Sequence, residues 1–173
     1  MSRSIDPAGP APWLASTFPA LSILAGALLL ALPWPVELGG LPLFPLLLLI
    51  AWSGVQPRLV PAPAAFLLGL ATDAIAGLPL GVMAATFVAV RVLAGRAGAR
   101  AATRRMAEEW LAAAALLMAA AAFQMAALAL AARASAPVPL LAQTAVSILV
   151  YPAVFALVAA IHRRLGGTMG MEP

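Results

Sequence analysis

The chain has 173 residues, 64% of them hydrophobic and only 9% charged, with a mean hydropathy of +1.04. A soluble domain carries roughly 25% charged and about 45–50% apolar residues, so a water-soluble fold is excluded. Ten basic residues face six acidic ones, every base is arginine and there is no cysteine. That rules out a disulfide framework, a thiol nucleophile and a cysteine-based metal site. It also disfavours nucleic acid as a partner, because the arginines sit in short breaks between apolar runs rather than on one soluble patch.

A membrane-spanning helix needs about 20 apolar residues, and six runs qualify or come close: about 14–32, 38–54, 60–78, 79–95, 110–132 and 138–161. The first follows Arg3 as a secretory signal would. It is nevertheless read as a retained helix, because Asp6 and early prolines intervene and the apolar run is long for a signal core. Pro33-Trp34-Pro35 closes it. The second is the weakest, being short and carrying Pro42 and Pro45. The third contains Asp73 and ends at the turn Gly77-Leu78-Pro79-Leu80-Gly81, from which the fourth starts. The expectation is an all-α integral membrane protein: one polytopic domain, a bundle of six transmembrane helices with both termini cytoplasmic. Two patterns support the count. Trp13, Trp34, Trp52 and Trp110 fall at run ends, where aromatic belts form. Arg3, Arg58, Arg96, Arg100, Arg104, Arg105, Arg163 and Arg164 all fall on the cytoplasmic side, with only Arg133 outside. Arg91 sits near the cytoplasmic end of the fourth run, where it can snorkel.

In the third run, Pro61, Ala65, Gly69, Asp73, Gly77 and Gly81 recur every four residues, lining one helix face with small side chains. Such a face lets another helix backbone come close, within the bundle or from a partner. Asp73 is a site hypothesis by default, as any intramembrane acid is. It lies about 6 Å from the Gly77 turn, while Arg91 lies about 15 Å down the next helix. The nearer solution is the N-terminus of the fourth helix, whose free N–H groups and positive dipole end suit a carboxylate. Asp73 is therefore read as a latch on the turn rather than a translocating acid.

Between the fourth and fifth runs, Arg96, Arg100 and Arg104 repeat at four-residue spacing with Arg105 beside them. The segment is a topology determinant, a basic stretch on the lipid surface, or a dock for an acidic partner. In the sixth run Gln143, Ser147 and Tyr151 share a stripe with Thr144 alongside, and Gln124 lies mid-way along the fifth. These groups fit interhelical hydrogen bonds; a ligand pocket is the alternative. His162 is read as an interfacial residue. No nucleophile is paired with a base and no second carboxylate faces Asp73, so no catalysis, cofactor or metal is expected.

The stretch from Pro57 to Gly81, PRLVPAPAAFLLGLATDAIAGLPLG, resembles the rod shape-determining protein MreD family. That family carries F-x-x-G-L-x-x-D followed by G-x-P-L-G, matched here by Phe66, Gly69, Leu70, Asp73, Gly77, Pro79, Leu80 and Gly81, with Trp52, Pro57 and Arg58 upstream. The motif covers about 25 residues; elsewhere the likeness is one of length and hydropathy. The turn reads Gln56-Pro57-Arg58, with one arginine where the family's commoner pattern differs. The resemblance implies a non-enzymatic scaffold of the cell-elongation machinery in the bacterial inner membrane. Its partners would be MreC, the cytoskeletal MreB, RodA and a class B penicillin-binding protein. It also implies an architecture similar to the substrate-binding subunits of energy-coupling-factor transporters. In the scaffold reading the Gly69–Asp73–Gly77 face orients a partner's membrane helix. The alternative is a small-molecule-binding transporter subunit with its pocket at Gln143, Ser147 and Tyr151.

Overall fold

A computed structural model describes residues 12–32, 41–98, 106–130 and 137–166. They form six helices: α1 (Pro12–Ala31), α2 (Phe44–Val55), α3 (Ala62–Ala76), α4 (Val82–Gly98), α5 (Met106–Leu130) and α6 (Pro137–Gly166). A single 3₁₀ turn, Pro57–Leu59, links α2 to α3. Each helix falls on one of the six apolar runs. The largest difference is at α2, which starts at Phe44 rather than near 38. Leu41–Leu43 are not helical, and Pro45 sits in the first turn, where a missing N–H leaves nothing unsatisfied. With 12 residues, α2 rises about 18 Å, well short of the roughly 30 Å hydrocarbon thickness.

That short helix is the hub. Its sequence FPLLLLIAWSGV is apolar on every side, which suits a helix enclosed by others. It packs against α1, α4 and α6, while α3 pairs with α4 and α5 closes on α4 and α6. Leu46, Leu47, Leu49, Ile50, Ala51 and Trp52 are all buried.

Apolar side chains cover the outside as well as the core, and a few polar ones are buried among them. Leu67, Leu80, Leu111, Leu130 and Leu149 face outward, while Ser53, Thr72, Asp73, Thr86, Gln124, Thr144 and Ser147 are buried. Two helical stretches, Met106–Leu130 and Val138–Arg164, are long and apolar enough to cross a membrane. Only 28% and 22% of their apolar windows are buried, so they are not core helices of a soluble domain. Several inward hydroxyls are hidden by bonding back along their own helix. Thr72 donates to the Leu68 carbonyl, Thr86 to Val82 and Thr144 to Leu140, at 2.7–2.8 Å.

Two local expectations change. Trp52 does not sit in an interfacial belt but is fully buried. Its indole N–H donates to the Ser22 hydroxyl at 3.0 Å, and its ring meets Phe18 and His162 edge-on at 6.1 and 6.3 Å. The end of α2 lies inside the bundle, so an aromatic residue there packs against neighbours instead of headgroups. His162 accordingly works as a packing partner for Trp52, only partly exposed.

Candidate functional site

The α3–α4 hairpin carries the sequence motif, and its close approach is set at Gly69. A Cβ there would lie 2.4 Å from the Ala84 Cα and 2.7 Å from the Ala84 nitrogen. No side chain fits against backbone at that range, so the two helices touch through glycine. The Gly69 side of the small-residue face is thus occupied by α4 of the same chain, not left open for a partner helix.

At one end of the hairpin stands Asp73, fully buried. Its Oδ1 accepts the Met83 N–H at 2.8 Å; its Oδ2 accepts those of Gly81 at 2.8 Å and Ala84 at 3.3 Å. These are the donors that the first turn of α4 cannot satisfy within the helix, and a carboxylate also complements the positive dipole end. The Asp73 carbonyl is used as well, accepting the N–H groups of Gly77 and of Leu78. Gly77 takes the left-handed conformation, φ 64°, that ends α3 and that only glycine adopts without strain. Gly81, φ 105°, makes the second bend.

The other end is held by Arg91, in a way that spacing alone did not foretell. Its Nε donates to the Val60 carbonyl and its Nη2 to the Pro57 carbonyl, so one guanidinium straddles the turn that leads into α3. The fork geometry is what arginine provides and lysine does not. Gly95 makes room for it: a Cβ there would lie 2.6 Å from Arg91 Nη1. Arg91 is therefore a clamp on the turn rather than a snorkelling residue.

The remaining motif residues divide by exposure. Phe66 and Leu80 point outward, at 45% and 74% exposed, while Leu70 and Pro79 are half-buried. Of the basic segment, Arg96 is exposed in the last turn of α4, and Arg100, Arg104 and Arg105 lie outside the described residues.

On α6, the stripe is structural where it can be followed. The Ser147 hydroxyl donates to the Gln143 carbonyl at 2.6 Å and accepts the Leu43 N–H at 2.8 Å, satisfying a donor just ahead of α2. Tyr151 is buried beside Phe155, with ring centroids 5.9 Å apart. Gln124 reaches the Met83 sulfur at 3.7 Å. A contact legible only in hindsight involves Pro152, which has no N–H to give the Ile148 carbonyl one turn back. Trp110 of α5 supplies the bond instead, its Nε1–H donating at 2.8 Å.

Elsewhere, α1 and α2 enclose an apolar groove of about 620 Å³ lined by Phe18, Leu21, Gly26, Leu29, Phe44 and Leu48. Among the described residues no three histidine, aspartate or glutamate side chains converge on a metal-sized space.

Compared with known proteins, residues 13–161 match the family model for the rod shape-determining protein MreD. No curated protein and no solved structure gives a significant match.

Proposed function

The chain belongs to the MreD family of shape-determining membrane proteins, and from that premise we propose that it is a six-span, non-enzymatic scaffold of the bacterial inner membrane. Its role in rod-shape determination follows from the family. The finer reading is that it couples MreC and the synthases RodA and a class B penicillin-binding protein to the MreB cytoskeleton, with both termini cytoplasmic. The observation that carries it is the match over residues 13–161, joined to a hairpin built by packing and capping alone. Asp73 has its carboxylate oxygens committed to backbone N–H groups, which suits a rigid structural element and not a proton relay.

The motif then serves two purposes. Gly69, Asp73, Gly77 and Gly81 shape the hairpin from within. Phe66 and Leu80, left facing outward, are the motif side chains available to a partner's membrane helix. The likeness to energy-coupling-factor substrate-binding subunits remains a proposal about architecture. The transporter alternative draws less support, since Ser147 of its polar stripe already bridges α6 to α2.

Co-purification in mild detergent from native membranes tests this. Recovery of MreC and cell-wall synthases is expected, with Phe66→Ala/Leu80→Ala weakening recovery while the protein stays folded. Recovery of paired ATPases with a coupling membrane subunit would overturn the scaffold in favour of transport.

A further inference from the structure

A second polar junction lies away from the α3–α4 hairpin, where α2 ends beside α5 and α6. The last turn of α2 leaves carbonyls that the helix cannot satisfy. The donor for the Ser53 carbonyl would be residue 57, a proline without an N–H. The Leu59 N–H, which would serve Val55, goes to the Gln56 carbonyl instead. A helix end of this kind is negative, and this one has no basic residue in its last turn.

A carboxylate faces that end. Glu109, half-buried, stands on the inward side of α5, one turn ahead of buried Ala113 and two ahead of buried Leu117. Its Oε1 would lie 3.0 Å from a Cβ at Gly54, and Phe155 of α6 closes the same spot, its Cε2 3.3 Å from that Cβ. Negative charge thus meets a negative helix end. The Tyr151 hydroxyl turns to the Glu109 carboxylate, yet it closes no hydrogen bond of normal geometry. Among the described residues two buried side-chain oxygens lack a hydrogen-bond partner: this hydroxyl and that of Ser53, in the last turn of α2. A buried hydroxyl left so costs stability. A set made of oxygens alone, one of them a carboxylate, suits a hard cation. One carboxylate balances one positive charge, so a monovalent ion leaves the site neutral where a divalent ion would leave a buried excess.

We propose that Glu109, Tyr151 and the last turn of α2 hold a monovalent metal cation of the sodium and potassium class. The ion ties three helices together: the carboxylate comes from α5, the phenol from α6 and backbone oxygen from α2. The site is separate from the hairpin and from the partner face proposed above, and its test does not depend on either.

The full chain is purified in neutral detergent with choline as the only added cation. Thermal unfolding is then followed as NaCl, KCl, choline chloride or MgCl2 is added at matched ionic strength. A saturable rise in Tm with NaCl or KCl, absent with choline, is expected. Glu109→Gln should abolish the rise, and Glu108→Gln, at the exposed neighbour, should keep it. Tyr151→Phe removes one oxygen and no charge. It should raise the half-saturating salt concentration roughly tenfold, and it decides the matter if Glu109→Gln fails to fold. An equal rise with choline shows a general salt effect and overturns the site, as does an unchanged midpoint in Tyr151→Phe. A rise with magnesium alone overturns the monovalent assignment. No response of the wild type to any salt shows that the chain closes this junction by itself, and overturns the proposal.

Discussion

The two ends of the α3–α4 hairpin solve one problem with opposite charges. At one end a carboxylate takes the N–H groups that open α4; at the other a guanidinium takes the carbonyls of the turn that precedes α3. In lipid an unsatisfied backbone group costs several kcal/mol, so each irregular junction needs a side chain of matching polarity. The Asp73 end is closed, its acid fully buried and its oxygens spent on backbone. The Arg91 end stays open, with Arg91 only partly buried and Arg58 exposed in the turn it holds. One end is thus a structural lock, and the other is a lock that also presents charge outward.

The sharpest way to break both ends together is to pry apart what they hold. Gly69→Leu places a side chain where even a Cβ would lie 2.4 Å from the α4 backbone. Overpacking against side chains costs about 1–3 kcal/mol, and backbone cannot swing aside. A loss above about 3 kcal/mol is expected in detergent-titrated unfolding. Wild-type stability in this variant would show that the contact is not formed.

Next comes the closed end. Asp73→Ala strands three N–H groups, two of them in buried bonds, for an expected loss of about 2–4 kcal/mol. Asp73→Asn keeps an acceptor but turns an amide N–H₂ toward one of the donors, so about half that loss is expected. If Asn proves as damaging as Ala, charge itself matters and the cap is not the whole role. The open end should yield less. Arg91→Met removes two charged hydrogen bonds for about 1.5–3 kcal/mol, and Arg91→Lys recovers only part because one ammonium cannot fork across two carbonyls. Gly95→Ala displaces the guanidinium without deleting it. It should fall between wild type and Arg91→Met in the same unfolding assay.

Much of the closed end was legible in the sequence and little of the open end was. Asp73 could be assigned to the start of α4 because helix rise turns residue spacing into depth, and the turn glycines marked where the chain doubles back. Arg91 could be placed at the right depth but not given its partners. Those are carbonyls, which every residue carries, so no residue type announces them. The same blindness hid Trp110 and Ile148: Pro152 signals a freed carbonyl, but which side chain answers depends on how α5 packs. Trp52 misled for a related reason. A tryptophan at a run's end reads as interfacial, and only the placement of α2 at the centre of the bundle puts it in the core. The six apolar runs placed the helices well. They could not say that the shortest would be the hub.

The smallest effect separates the shape of the Asp73 turn from its charge. Gly77 sits at φ 64° with open space where a Cβ would go, so Gly77→Ala meets no clash and strands no donor. Its cost is the strain of holding an L-residue in the left-handed region, about 1 kcal/mol. In the unfolding assay the variant should lose about that much and keep its hairpin. Combined with Asp73→Ala, the losses should fall short of additive, because once the carboxylate no longer fixes Gly81 and Met83 the turn can relax around the alanine. Full additivity would mean that the left-handed bend is imposed by α3 and α4 packing at Gly69 rather than by the cap.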